Sequence, residues 1–226
     1  RVYTPSFEAA MGEHRKEIIH FFDTLPFYVR TRAGVSVCHA GAFPEIGNDD
    51  AAARLFTYSH QRVLHKVEAQ LPMKQRPALR RKVSELLEVD YDLLASHYLN
   101  VHHPDDPRYD DYLIGLVAGE HPRFELLWSA FFTDNEREHG VTYTAYVNKL
   151  LDALSRDWHR QHVLVAGHLT CRGGYRVLAS GRQLRLASGA HAQPYESARY
   201  LLFDAGVVVE GARALVEGIG SVFSNG

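Results

Sequence analysis

Val35-Ser36-Val37-Cys38-His39-Ala40-Gly41 and His162-Val163-Leu164-Val165-Ala166-Gly167-His168 are the two stretches on which the fold turns. Each is a short apolar run, rich in β-branched residues, that leads straight into a histidine with a glycine beside it. Such runs predict buried strands, and the glycine lets the chain turn sharply where the strand stops. A buried strand is a rigid mount whose end opens onto solvent, so a histidine placed there suits metal coordination. A strand-end histidine bonded only to backbone accounts equally well for either one alone. The recurrence of the device at two distant places points to imidazoles converging on one site.

Outward from these stretches, Phe27 to Arg30 pairs with Val35 to Cys38 as a hairpin around Ala33-Gly34. Upstream, Phe7, Met11, His14, Ile18 and Phe21 recur at helical spacing, which predicts a helix from Pro5 to Phe22 that Leu25-Pro26 ends. Downstream, strands are predicted at Tyr175 to Ala179, Leu184 to Ala187, Tyr200 to Phe203 and Val207 to Val209, punctuated by Gly173-Gly174, Gly181 and Gly206. Tyr143, Val147, Leu150, Leu151 and Leu154 mark one side of a helix over Val141 to Leu154, and Gly211 to Val222 reads as a terminal helix. The segment 49–111 differs in character. Its Ala, Leu, Glu, Arg and Lys content, its spacing at Leu55, Tyr58, Val63 and Val67 and again over Pro77 to Leu87, and its breaks at Leu71-Pro72, His103-Pro104 and Asp106-Pro107 predict an insert of three or four helices. The basic run Lys74, Arg76, Arg80, Arg81 and Lys82 within it reads as a solvated helix face or as a contact for phosphate or an acidic partner.

The composition bounds the function. A chain of 226 residues holds one sizeable core, or a core with an appendage, and its 46% apolar and 23% charged residues are those of an ordinary globular protein. A net charge of −2 leaves no electrostatic footprint for nucleic acid or an anionic membrane. No apolar run approaches the ~20 residues that span a bilayer. Two cysteines, Cys38 and Cys171, without a CxxC pattern read as reduced thiols of an intracellular, cytoplasmic protein. Fourteen histidines is a high count, and many fall in the insert, where a solvated or internally bonded role suffices for any one.

Several short motifs carry a resemblance. Leu25-Pro26-Phe27 followed by His39-Ala40-Gly41 resembles the LP-then-HGG segment of the calcineurin-like metallophosphoesterases, in their phosphoprotein phosphatase branch. Leu126-Leu127-Trp128-Ser129 resembles that branch's LLWSDP, and Gly140-Val141-Thr142-Tyr143-Thr144 its RGVSFTFG. Ala166-Gly167-His168, with Gly174-Tyr175 a short interval later, resembles its R-[AG]-H-Q and GY; Leu186-Ala187-Ser188-Gly189-Ala190 sits where it has FSAPNY. The matches run in order from Leu25 to Asp204 with the unmatched insert between them. The family's GDxHG, GDxxDRG and GNHE motifs have no counterpart; Gly47-Asn48-Asp49-Asp50 is faintly GNHE-like but stands on the wrong side of the HGG-like motif. The chain opens on Arg1, and the reading preferred on sequence is the carboxy-terminal portion of a longer domain, with a degenerate relative as the alternative.

The resemblance implies an α/β fold, a calcineurin-like β-sandwich flanked by helices, incomplete at the N-terminus, with all of 1–226 belonging to one metallophosphoesterase domain and 49–111 inserted in it. It implies phosphoester hydrolysis with two divalent or mixed-valence ions, Mn, Fe or Zn, which lower the pKa of a bridging water and clamp phosphate oxygens. Carried over by position, His39 and His168 are ligands of one ion. The remaining ligands, the acid histidine and every catalytic group fall to the missing N-terminal half of the same domain, which becomes the chain's expected partner beside a phosphorylated substrate. The family's phosphate-clamping arginine aligns with His139, and Arg137 stands two residues earlier; both are candidates for phosphate contact, as is His191 in the last loop. The LLWSDP aspartate is replaced by Ala130. Trp128, Phe131 and Phe132 line a groove or pack in the core. The alternative function is that of a non-catalytic relative that binds a protein partner through its helical insert.

Overall fold

The computed structural model describes residues 10–26, 28–44, 60–120 and 133–223. Phe27, Gly47-Asn48-Asp49-Asp50, Leu55, Tyr58, the Leu126-Leu127-Trp128-Ser129 motif with Ala130, Phe131 and Phe132, and the start of the first predicted helix lie outside the described residues. The chain divides into two compact units, one of Arg1–Leu25 with Ser59–Glu125 and one of Pro26–Tyr58 with Leu126–Gly226.

The first unit is helical: α1 (Arg15–Thr24), α2 (His60–Gln70), α3 (Arg76–Leu87), α4 (Tyr91–Leu99) and α5 (Asp111–Gly119). Pro77 sits in the first turn of α3, where a missing N–H costs nothing. The Asp90 carboxylate caps α4 by accepting from the Asp92 N–H at 3.1 Å. Tyr91, Leu94, Ala95, Val101, Tyr109 and Leu113 form the core of this unit. The basic run splits in two: Lys74, Arg81 and Lys82 stay exposed, whereas Arg76 and Arg80 turn inward onto Asp110, at 3.2 and 2.8 Å.

The second unit is mixed α/β. Its described strands are β1 (Tyr28–Arg30), β2 (Val35–Cys38), β3 (Val163–Ala166), β4 (Cys171–Arg172), β5 (Tyr175–Leu178), β6 (Gln183–Leu186), β7 (Ala192–Gln193), β8 (Arg199–Leu201) and β9 (Ile219–Ser221). Five of them make a sheet in the order β1-β2-β3-β6-β5, with β2, β3 and β6 parallel at its centre and β1 and β5 antiparallel at its edges. The other described strands form two-stranded ribbons, β4–β7 and β8–β9. The predicted hairpin is present, and Gly34 is obligatory at its turn: its φ is +81°, and a Cβ would come within 2.9 Å of the Arg160 carbonyl.

Both faces of the sheet are covered, which is why β3 reads as a continuous apolar run and β2 as one broken only by the buried Ser36, whose hydroxyl donates to Gln161 Oε1 at 2.9 Å. The pleat sends Leu164, Ala166 and Cys38 to one face, against Tyr143, Val147, Leu150, Leu151 and Leu154 of helix α7 (Tyr143–Ser155). It sends Val163, Val165, Val35 and Leu184 to the other, against Val209, Ala212 and Leu215. Each Val or Leu so enclosed contributes on the order of 1.5–3 kcal/mol. A short helix, α6 (Glu136–His139), precedes α7.

Two sequence expectations are corrected on the second face. Val207 to Val209 is not a strand; Val207 and Val208 are exposed, and only Val209 turns in, its N–H bonded to the Ala33 carbonyl at 2.8 Å. Gly211 to Val222 is not one α-helix but a 3₁₀ helix, Ala212–Gly218, followed by β9. Gly218 and Gly220 pack directly against β8 there, Gly218 on the Leu202 carbonyl and Gly220 on the Tyr200 ring. That close ribbon pairing displaces the helix.

Candidate metal centre

Because β2 and β3 are adjacent and parallel, their C-terminal ends coincide, with Cys38 opposite Ala166. The Gly167 N–H donates to the His39 carbonyl at 2.9 Å, carrying the ladder one residue further. The two chains then leave the sheet together and present His39 and His168 side by side. His39 Nε2 lies 3.1 Å from His168 Nδ1, with the rings edge-on at 66° and their centroids 5.0 Å apart. His168 sits in the left-handed region, φ +72°, uncommon outside glycine. The Leu169 N–H closes a three-residue turn around it by donating to the Gly167 carbonyl at 2.9 Å. Gly41 has a steric reason of its own: a Cβ there would strike the Tyr143 hydroxyl and come within 2.9 Å of the Asp134 carbonyl. That hydroxyl is fully engaged, donating to Gln183 Oε1 at 2.7 Å and accepting from the Ala42 N–H at 3.2 Å.

Under the imidazole pair lies a charge that sequence reasoning missed. Arg185 of β6 is 1% exposed. Its guanidinium donates to the Ala40 carbonyl, to the Gly167 carbonyl and to both carboxylate oxygens of Glu136, the Nε–Oε1 bond being 3.1 Å. Glu136 opens α6, whose first turn Asn135 caps by accepting from the Arg137 N–H at 2.9 Å. The next residues carry further ligating groups. Asp134, Glu138 and His139 offer ligand atoms all within 4.8 Å of one another, a set capable of coordinating a metal ion. His139 Nε2 is 3.2 Å from Asp134 Oδ1, and its ring meets Tyr146 edge-on at 5.0 Å. The Arg137 guanidinium donates to the Thr170 carbonyl at 3.2 Å, two residues past His168. His191 is exposed and interacts electrostatically with both His39 and His168.

The electrostatics favour neutral imidazoles. Burial, then the His168 ring, then His191 and Arg185 hold His39 below the ordinary histidine value. Burial, then Arg185 and His191 do the same for His168, while Glu138 and Glu136 oppose them. Neutral imidazole is the form in which histidine ligates a metal. Burial and a bond shared with the Glu138 carboxyl push Asp134 up, against the pull of His139. Both cysteines are free and buried, and burial pushes the Cys38 thiol up to about 12 and raises that of Cys171.

The 3.1 Å separation of His39 and His168 is that of a hydrogen bond between the two rings; two nitrogens bonded ~2.1 Å from one ion stand about 3.0 Å apart at a right angle and about 3.4 Å apart in a tetrahedral site. The structure thus brings His39 and His168 together, ties Arg137 to the Thr170 carbonyl, places His191 within electrostatic reach, and ties His139 to Asp134. Arg185, Glu136, Asp134 and Glu138 were not legible as site residues. Their only signal was a charged residue inside the apolar strand Leu184-Arg185-Leu186, which alternation equally assigns to a solvated face. No family model, curated protein or solved structure matches the chain. No helix among the described residues is long and apolar enough to cross a membrane.

Proposed function

We propose that this chain forms part of a divalent-metal phosphoester hydrolase of the calcineurin-like kind its motifs resemble. The observation that carries the reading is the 3.1 Å approach of His39 Nε2 and His168 Nδ1 at the ends of two adjacent parallel strands. In this reading the five-stranded sheet belongs to a calcineurin-like sandwich. His39 and His168 hold one Mn, Fe or Zn ion as neutral imidazoles. A bound ion supplies an acidified water and offsets phosphate charge. In the same reading Arg137 and His191 meet the oxygens of a phosphorylated substrate. His139, bonded to Asp134, belongs to the second ligand set and is not free to replace the family's phosphate-binding arginine. Two imidazoles and the Asp134, Glu138, His139 set do not amount to a dinuclear centre with a bridging carboxylate. The reading therefore calls for further ligands of the kind the family's GDxH, GDxxDR and GNHE motifs supply.

The test has two stages. The chain is titrated with Co²⁺ and Mn²⁺ by calorimetry, beside His39→Ala and His168→Ala. One tight site, lost in either variant, is expected. The chain is then joined to a segment carrying the three motifs and assayed with an aryl phosphate. Mn-stimulated hydrolysis that His168→Ala abolishes is expected. Absence of metal binding in the intact chain would instead favour the non-catalytic binding module.

A further inference from the structure

We infer that Arg185 is the positioning residue of the imidazole pair, its single guanidinium holding the His39 turn, the His168 turn and the acidic helix α6 in one arrangement. The inference rests on the metal-binding reading for its consequence, but its geometry stands apart from it. Register places Arg185 opposite Ala166, one strand away from the chain that turns into His168. From there the side chain reaches the carbonyl just after His39, the carbonyl just before His168, and the carboxylate of Glu136. A planar five-donor fork can serve three acceptors at once, which a lysine ammonium cannot do with the same fixed geometry.

Each contact has a purpose that packing alone does not require. The Gly167 carbonyl is the last fixed point before His168, whose φ of +72° is unfavourable without surrounding constraint. Pinning that carbonyl keeps the turn tight and the imidazole aimed at His39. The Ala40 carbonyl is the first fixed point after His39. Glu136 neutralises the buried cation and is bidentate, so it orients the guanidinium plane as well. Through Glu136 the same plane also sets the start of α6, and with it Glu138 and His139. One side chain therefore determines the spacing of ligand groups drawn from three segments far apart in sequence. Outer partners of this kind tune metal affinity by about 10–100-fold.

The experiment compares Arg185→Met, Arg185→Lys and Glu136→Gln with the unaltered chain, using two readouts. Nitrogen-15 spectra of labelled histidines report the His39–His168 contact without metal, and the visible spectrum and affinity of added Co²⁺ report ligand geometry. Arg185→Met should lose the inter-imidazole contact and bind Co²⁺ about 10–100-fold more weakly, with an altered ligand-field spectrum. Arg185→Lys, which keeps the charge but not the fork, should recover less than half of that loss on a logarithmic scale. If Arg185→Met does not fold, Glu136→Gln decides: loss of the imidazole contact in a folded protein supports the inference, and its retention with Co²⁺ affinity within twofold overturns it. A folded Arg185→Met that keeps both the contact and the affinity overturns it outright. If the unaltered chain binds no Co²⁺, the metal reading fails, and the nitrogen-15 contact alone still decides the role of Arg185.

Discussion

Each unit of the molecule buries arginine against a carboxylate, and the two use the same chemistry differently. In the helical unit, Asp110 holds both Arg76 and Arg80. Arg76 also donates to the Leu71 carbonyl at 3.1 Å, and Arg80 lies over the Tyr109 ring, 4.9 Å from its centroid. The Tyr91 hydroxyl closes the same region by donating to the Tyr109 carbonyl and accepting from the Leu113 N–H. Every partner there joins one helix or loop to another, and among the described residues no cluster of metal-ligating side chains lies there. In the α/β unit, Arg185 and Glu136 sit beneath two solvent-accessible imidazoles and grip the backbone on either side of them. A buried ion pair is thus no sign of function by itself; the segments it holds, and what they carry, decide its role.

The comparison breaks most readily at Asp110. Asp110→Ala strands two arginines in the helical core and should cost about 3–5 kcal/mol in urea unfolding, with Co²⁺ affinity at the imidazole pair unchanged. A matching loss of metal affinity would mean that the two networks are not separate. His168→Ala should do the reverse. Calorimetric Co²⁺ affinity should fall by more than the about 10–100-fold typical of losing an outer partner, while the urea midpoint hardly moves. Gly41→Ala sharpens the packing behind the site. Its methyl meets the Tyr143 hydroxyl and the Asp134 carbonyl, so thermal unfolding should show a loss of about 1–3 kcal/mol.

The next effect is smaller and depends on pH. His39, His168 and His162 are each held below the ordinary histidine value of 6.5, chiefly by burial. Below about 6.5 the unfolded chain therefore binds more protons than the folded one at these positions. Their contribution to stability is complete above that value and is lost as the pH falls through their folded values. Unfolding monitored in the α/β unit should show stability falling as the pH drops below about 6.5, and Co²⁺ binding should weaken in the same direction. A stability that rises on acidification would contradict the assigned environments. The smallest effect belongs to Val141→Thr. Its side chain is 98% exposed, so stability should stay within about 0.5 kcal/mol and metal affinity should not change.

Much of the architecture was legible because periodicity is a local property. The hairpin at Gly34, the strands ending at Cys38 and Ala166, and α7 with its five inward residues all follow from apolar spacing over a few residues. The 3₁₀ segment at Ala212–Gly218 did not, because its apolar residues also fit an α-helix, and the ribbon partner that excludes one is about twenty residues earlier in the chain. Arg76 and Arg80 looked solvated for a similar reason: a basic helix face is indistinguishable in sequence from one that meets a single aspartate, Asp110, far along the chain.

The sequence by itself determined where rigid strands would end in histidine, since a buried apolar run, a terminal imidazole and an adjacent glycine are written contiguously. Only the tertiary structure decided that the two histidines stand 3.1 Å apart and that Arg185 lies beneath them. Strand adjacency is set by pairing between segments more than a hundred residues apart. Whether a charged residue inside a strand meets water or a carboxylate depends on what distant chain covers that face. Alternation places Arg185 on a face, but the carbonyls of Ala40 and Gly167 and the carboxylate of Glu136 come from three other places, and only folding brings them to it.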